Sequence, residues 1–168
     1  DATYHLGSQA LTAIIATDTD WNTARFTIDD TQVEDHKASL FQVRSLLEPE
    51  DLQLDRLSRD QKRIDLRPER DCYVLVENDQ QRRYIRRGLN QNQGVPQRDC
   101  FILRQDGSVE GDIDWHYGCI TRVEAHPMDE RPLVLRGGVF TTFANRMKQE
   151  VGYNYWARNI VITRSNTE

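Results

Sequence analysis

Cysteine is scarce in this chain. Cys72, Cys100 and Cys119 are the only three among 168 residues, and neither a CxxC pair nor a Cys/His cluster occurs. A disulfide framework or a structural zinc site is thereby excluded as the organising device. Long apolar runs are also missing: the stretch from Ala10 to Ala16 falls far short of a membrane span. Apolar residues make up 38% and charged residues 29%, which predicts a soluble chain with a modest core and a heavily charged surface. There is no excess of positive charge. Lys and Arg number 22 against 27 Asp and Glu, a net charge of −5, which argues against nucleic acid as the partner of the whole chain. No repeat, low-complexity tract or linker divides the sequence, so residues 1–168 are expected to form one domain.

What the chain does have is short β-forming segments. "WNTARFTID" and "KASLFQVRSLL" are strand-like, and from residue 71 onward "DCYVLVEN", "RRYIRRGL", "DCFILRQ", "SVEGDIDWHY", "CITRVEAH", "PLVLRGGVFTTF" and "YNYWARNIVITR" are rich in β-branched and aromatic residues. Polar or Gly/Pro clusters separate them, the pattern of an antiparallel meander. The expected fold is mainly β: a single antiparallel β-barrel of calycin type, with a β-sandwich as the alternative. Gly137-Gly138 inside an apolar stretch reads as a bulge or barrel corner. Residues 49–64 are expected to form one accessory helix. Pro49 suits a first turn, Glu50 and Asp51 the positive dipole end, and Lys62 and Arg63 the other end; Leu54, Leu57 and Ile64 supply a narrow apolar stripe.

One hairpin has a predictable register. Asp106-Gly107 marks the turn, and a three-residue loop 105–107 with Gly107 left-handed sets Leu103 opposite Val109 and Phe101 opposite Gly111. The stretch "VEGDIDWHY" then places Val109, Ile113, Trp115 and Tyr117 on one face and Glu110, Asp112, Asp114 and His116 on the other. Asp112 and Asp114, about 7 Å apart along a strand, are spaced to share a hard cation, with His116 as a conceivable base. Strict alternation, however, is also what the wet side of a half-buried strand produces without any function, and that reading is preferred over a metal site.

Two further groups stand out. Residues 80–104 hold six arginines (82, 83, 86, 87, 98 and 104) against the single acid Asp99, a patch suited to phosphate, carboxylate or an acidic protein partner, with Tyr84 as a stacking surface. The plainer reading is a charged edge that blunts strand pairing. Aromatics Trp115, Tyr117, Tyr153, Tyr155 and Trp156 fall in two segments and fit either a core or the lining of a pocket for a flat apolar ligand.

The segments "DCYVLVENDQQRRYIRRGL", "MDERPLVL" and "YNYWARNIVITRS" resemble strands of the lipocalin-like phycobiliprotein chromophore lyases. The resemblance covers about half the chain. It departs from the family at Val161 and Thr163, where alternating arginines are the family pattern, and at "NQNQGVPQRDC" and "GGVFTTFANRMKQEV", which break the spacing. It implies a calycin barrel that binds a flat amphipathic molecule such as a bilin-type tetrapyrrole. It further implies at most a lyase-like transfer of bilin to a phycobiliprotein-like acceptor, in the cytoplasm or plastid stroma. On that reading Trp115, Tyr117, Tyr155 and Trp156 contact the ring system, Arg82, Arg86 and Arg104 meet the propionates, and Asp112 or Asp114 accepts from pyrrole N–H groups. Ring and acid contacts compete here, because the two faces of residues 109–117 cannot both point inward. The alternative function is a non-enzymatic β-domain that serves as subunit or adaptor of a larger assembly through the arginine-rich hairpin.

Overall fold

The computed structural model describes residues 2–7, 11–29, 31, 38–83, 85–88, 92–143 and 159–168. Among them lie twelve strands: β1 (Thr3–Leu6), β2 (Ala13–Ile15), β3 (Thr19–Asp20), β4 (Arg25–Asp29), β5 (Phe41–Val43), β6 (Cys72–Arg83), β7 (Val95–Leu103), β8 (Val109–Glu110), β9 (Arg122–Pro127), β10 (Leu135–Arg136), β11 (Val139–Phe143) and β12 (Ile160–Ile162). The chain is mainly β. The strands form four separate sheets, none of which closes on itself, so the expected barrel is not what these residues build. Residues 1–46 with 129–168 form one unit, and Leu47–Met128 form a second, inserted into the first.

In the first unit all pairing between strands is parallel. β1, β4 and β11 lie side by side, as do β2, β5 and β12, while β3 pairs β10. The chain therefore visits three sheets in turn and returns to the first one strand further along. That is the path of a β-solenoid of three coils. Coil 1 comprises β1 to β3; coil 2 comprises β4, β5 and, after the insertion, β10; coil 3 comprises β11 and β12 and ends with Thr167 bridging Leu133.

Parallel register stacks like positions into columns. Tyr4, Phe26 and Phe140 are in register, and so are Ile15, Val43 and Ile162. Phe26, Ile28, Ile15, Val43 and Leu133 are buried, so these columns face the solenoid interior. The rings stack as the register demands, Tyr4 on Phe26 at 5.3 Å and Phe26 on Phe140 at 4.8 Å between centroids. Gly137-Gly138 is a corner, as its composition suggests, but of a solenoid coil between β10 and β11. Both residues are left-handed (φ +72° and +80°), a conformation glycine adopts without penalty.

The second unit is an open antiparallel sheet in the order β8-β7-β6-β9. Its hairpin follows the loop chemistry: Leu103 pairs Val109, Gly107 has φ +81°, and Arg104 N–H donates to the Ser108 carbonyl at 2.9 Å. The inner face carries Cys72, Val74 and Val76 from β6, Phe101 and Leu103 from β7 and Ala125 from β9, covered by Leu57, Ile64, Ile113 and Tyr117.

Two expectations are corrected here. Residues 49–64 form no helix. Glu50, Leu57 and Arg63 make antiparallel bridges to Ala125, Tyr117 and Ser108, so the segment runs extended over the sheet. Leu52, Leu54 and Leu66 pack against the buried cluster that includes Leu57 and Ile64, and alternation in "DLQLD" and "IDLRP" is the period of an extended chain rather than of a helix. The strand "VEGDIDWHY" ends at Glu110. Ile113 and Tyr117 are still buried, but Trp115 turns outward.

Candidate ligand groove

The residues nominated from the sequence do not converge. Tyr117 is wholly buried and belongs to the core. Trp115 is 38% exposed, with the Arg83 guanidinium 4.4 Å above its ring, a cation–π pair rather than a pocket wall. Arg104 is held by Asp71 at 2.6 Å and by Glu110. The Arg104 hydrogen bond, and after it the Gln105 backbone N–H, hold the Asp71 carboxyl below its ordinary value. Arg82 pairs with Pro96 at the far end of β7, roughly 26 Å from Arg104 at about 3.3 Å per residue. One tetrapyrrole's two propionates cannot bridge that span. Arg86 is exposed, as are Asp112, Asp114 and His116. Asp112 is paired with Lys62 at 2.9 Å, which holds its pKa down. The acids are the wet side of their segment, and among the described residues no group of three metal-ligating side chains comes together. Tyr84, Tyr153, Tyr155 and Trp156 lie outside the described residues.

The arginine patch divides in the same way. Arg98 pairs with the buried Glu77 at 2.5 Å and Arg83 caps Trp115, which leaves Arg82, Arg86 and Arg87 as its exposed remainder.

Beneath Trp115 is a polar spot in an apolar interior. Asp99 is 9% exposed and accepts from the Trp115 backbone N–H at 3.2 Å; the Tyr117 hydroxyl beside it has no well-formed hydrogen bond. Burial raises the pKa of both groups; the Asp99 charge raises Tyr117 further, whereas the Tyr117 hydroxyl and the Trp115 amide offset part of the rise at Asp99. An acid whose folded pKa lies above its unfolded value contributes stability below the unfolded value and loses it as pH rises through the folded one. Asp99→Asn keeps a carbonyl acceptor for Trp115 and removes the charge. Its melting temperature should therefore exceed wild type at pH 7, by about 2–4 °C per kcal/mol of relieved desolvation, and match it near pH 3. Thermal melts from pH 3 to pH 8 check this; a gap independent of pH would refute it. The thiol of Cys72, pushed up to about 12 chiefly by burial, is inert at neutral pH.

Rings and polar groups do converge in the solenoid. A groove of about 510 Å³ is lined by Ala2, Tyr4, Asp20, Trp21, Asn22, Thr23, Ala24 and Phe26. Its apolar wall is Tyr4 (50% exposed), Trp21 and Phe26, with Trp21 edge-on to Phe26 at 5.8 Å. The polar rim is the turn between β3 and β4. There Asp20 Oδ1 accepts from Asn22 N–H at 2.8 Å, Trp21 carbonyl accepts from Ala24 N–H at 2.9 Å, and Asn22 is left-handed at φ +48°. The next coil braces this turn, because Trp21 N–H donates to Arg136 and Gly138 N–H to Asn22. The signal was present in "TDTDWNT": Asp, Asn and Thr around a tryptophan are turn chemistry, which puts a large ring on a corner.

Fold and groove together define a class, a three-coil β-solenoid with an inserted antiparallel sheet and an aromatic groove at one corner. No family model matches the chain, and no curated protein or solved structure matches it.

Proposed function

We propose that the chain is a non-catalytic binding module for a flat, amphipathic and uncharged small molecule, held in the groove at the corner of coil 1. The observation that carries this reading is the convergence of Tyr4, Trp21 and Phe26 with the Asp20–Asn22 rim on one recess of small-molecule size. Ring faces hold a planar body by stacking, and the carboxylate and carboxamide hold polar substituents at its edge. A bilin is the less favoured member of this class. Its propionates require cations, whereas among the described residues the groove lining holds Asp20 and no Lys or Arg.

Nile red, flat and uncharged, serves as the test ligand, with biliverdin as the dianionic comparison. Nile red should quench tryptophan emission and lose most of that effect in Trp21→Phe. Tyr4→Ala should weaken its binding about three- to tenfold, the worth of one aromatic contact. Biliverdin should bind more weakly, and Asp20→Asn should narrow the difference. Titration curves unchanged in both Trp21→Phe and Tyr4→Ala would remove the groove as the site.

A further inference from the structure

Among the described residues, no polar cap closes the interior columns of the solenoid. At the outer side of coil 3, Phe140 and Ile162 occupy inward register positions yet are 37% and 54% exposed. The same holds for Tyr4 at the outer side of coil 1. Among the described residues β11 pairs only with β4 and β12 only with β5, while β1 and β2 likewise each have one neighbour. Exposed strand edges ordinarily carry Lys, Pro, inward charge or a bulge, which prevents pairing with another chain. These four carry none: their sequences are TYHL, AII, VFTTF and IVI, in a chain with 29% charged residues.

The two ends also match one another. β11 and β1 are five and four residues long, and β12 and β2 are three each. If the unit is translated along the solenoid axis so that β1 falls beside β11, Tyr4 follows Phe140 as it precedes Phe26, and Ile15 follows Ile162. In these two sheets the Phe/Tyr and Ile/Val columns repeat and all strands stay parallel; in the third sheet Asp18 would fall beside Glu168, a like-charge contact that opposes the stack.

From this we propose that the occupant of the coil 3 end is a second copy of this chain, docked head to tail through its coil 1 end. Such a contact uses two different surfaces, so it does not close at two subunits but extends into a filament. This rests on the unblunted edges and the column match, independently of the ligand reading. The two meet at Tyr4, which stacking covers, so every copy but the leading one loses part of its groove.

Sedimentation of the whole chain over a concentration series tests the proposal. The average mass should rise with concentration past that of two chains, without a plateau. Ile162→Lys blocks the coil 3 end and Ala13→Lys the coil 1 end. Both positions are exposed, so circular dichroism should stay that of wild type. Each variant alone should be monomeric at concentrations where wild type associates, an affinity loss of at least tenfold. An equimolar mixture should give a species of two chains and nothing larger, since one free end of each kind remains. Wild type that stays monomeric throughout overturns the proposal. So does an Ala13→Lys variant that dimerises by itself, which would mean coil 3 against coil 3, and so does a mixture that fails to pair.

Discussion

Arg164→Ala is expected to destabilise the solenoid unit by about 3–5 kcal/mol, the cost of leaving a buried charge without its partner. Arg164 pairs with Asp129 at 3.3 Å, with side-chain exposures of only 9% and 13%. The guanidinium also donates to the carbonyls of Arg131, Ser165 and Asn166 at 2.6–2.8 Å. It therefore ties the chain re-entering coil 2 to the close of coil 3. Asp129 is reinforced from the same segment, since its N–H donates to Ser165 Oγ at 2.7 Å. Removal of the cation strands the carboxylate, one of whose oxygens is already sealed without a hydrogen bond. Urea unfolding should show the loss, and the melting temperature should fall by more than about 6 °C. Arg164→Ala combined with Asp129→Ala should be less harmful than the sum of the two single changes, because no unpaired charge remains. Strict additivity would mean that the two side chains are not coupled and that the arginine acts only through its carbonyl contacts.

How far the fold could be read from the sequence depended on the range of the interaction. The 105–107 hairpin was legible because its determinants are local: Asp106-Gly107 prescribes the turn, and hydrophobic matching of Leu103 with Val109 prescribes the register. The β character of residues 71–143 was legible for the same reason. Residues 49–64 misled because Pro49, the flanking charges and three spaced leucine and isoleucine residues satisfy helix rules. Those rules do not register that the segment's backbone groups find partners on Tyr117, Ile113 and Gly107, as Leu57, Asp60 and Ile64 N–H do.

The solenoid was the least legible feature. Its strands have two to five residues, too short to show a period, and each pairs with a strand far along the chain. No constant repeat length exists to be found. Tyr4 stacks on Phe26, but Phe26 stacks on Phe140, because the sheet of Leu47–Met128 interrupts coil 2. The nominated site failed on one residue in particular. Trp115 keeps the parity of a buried position yet turns out onto Arg83, once the strand ends at Glu110 and alternation ceases to govern direction. The rings that gather are Tyr4, Trp21 and Phe26, none of them in the two nominated segments.

Gly137→Val should break the stack where coils 1 and 2 meet. Two costs combine. Gly137 has φ +72°, a conformation in which an L side chain costs about 1–2 kcal/mol, and a β-branched one more. A Cβ there would also lie 2.5 Å from the Asn22 carbonyl oxygen and 2.6 Å from its amide nitrogen. Both are backbone atoms, held by the Gly138-to-Asn22 and Trp21-to-Arg136 hydrogen bonds, so neither can swing aside as a flexible side chain would. Overpacking against a fixed wall adds about 1–3 kcal/mol, for a total of about 2–5 kcal/mol. Two other glycines separate the contributions. Gly88 shares the left-handed conformation, at φ +81°, but a Cβ there meets nothing within 4 Å; Gly118 has neither constraint. Gly88→Ala should therefore cost about 1 kcal/mol and Gly118→Ala within about 0.5 kcal/mol of nothing. If coil-on-coil contact is what seats the turn of Trp21 and Asn22, Gly137→Val should also weaken Nile red binding under conditions where the chain is still folded, whereas Gly88→Ala should leave it unchanged. Equal binding by all three variants would separate the groove from the stacking of the coils, and with it the claim that the solenoid corner builds the site.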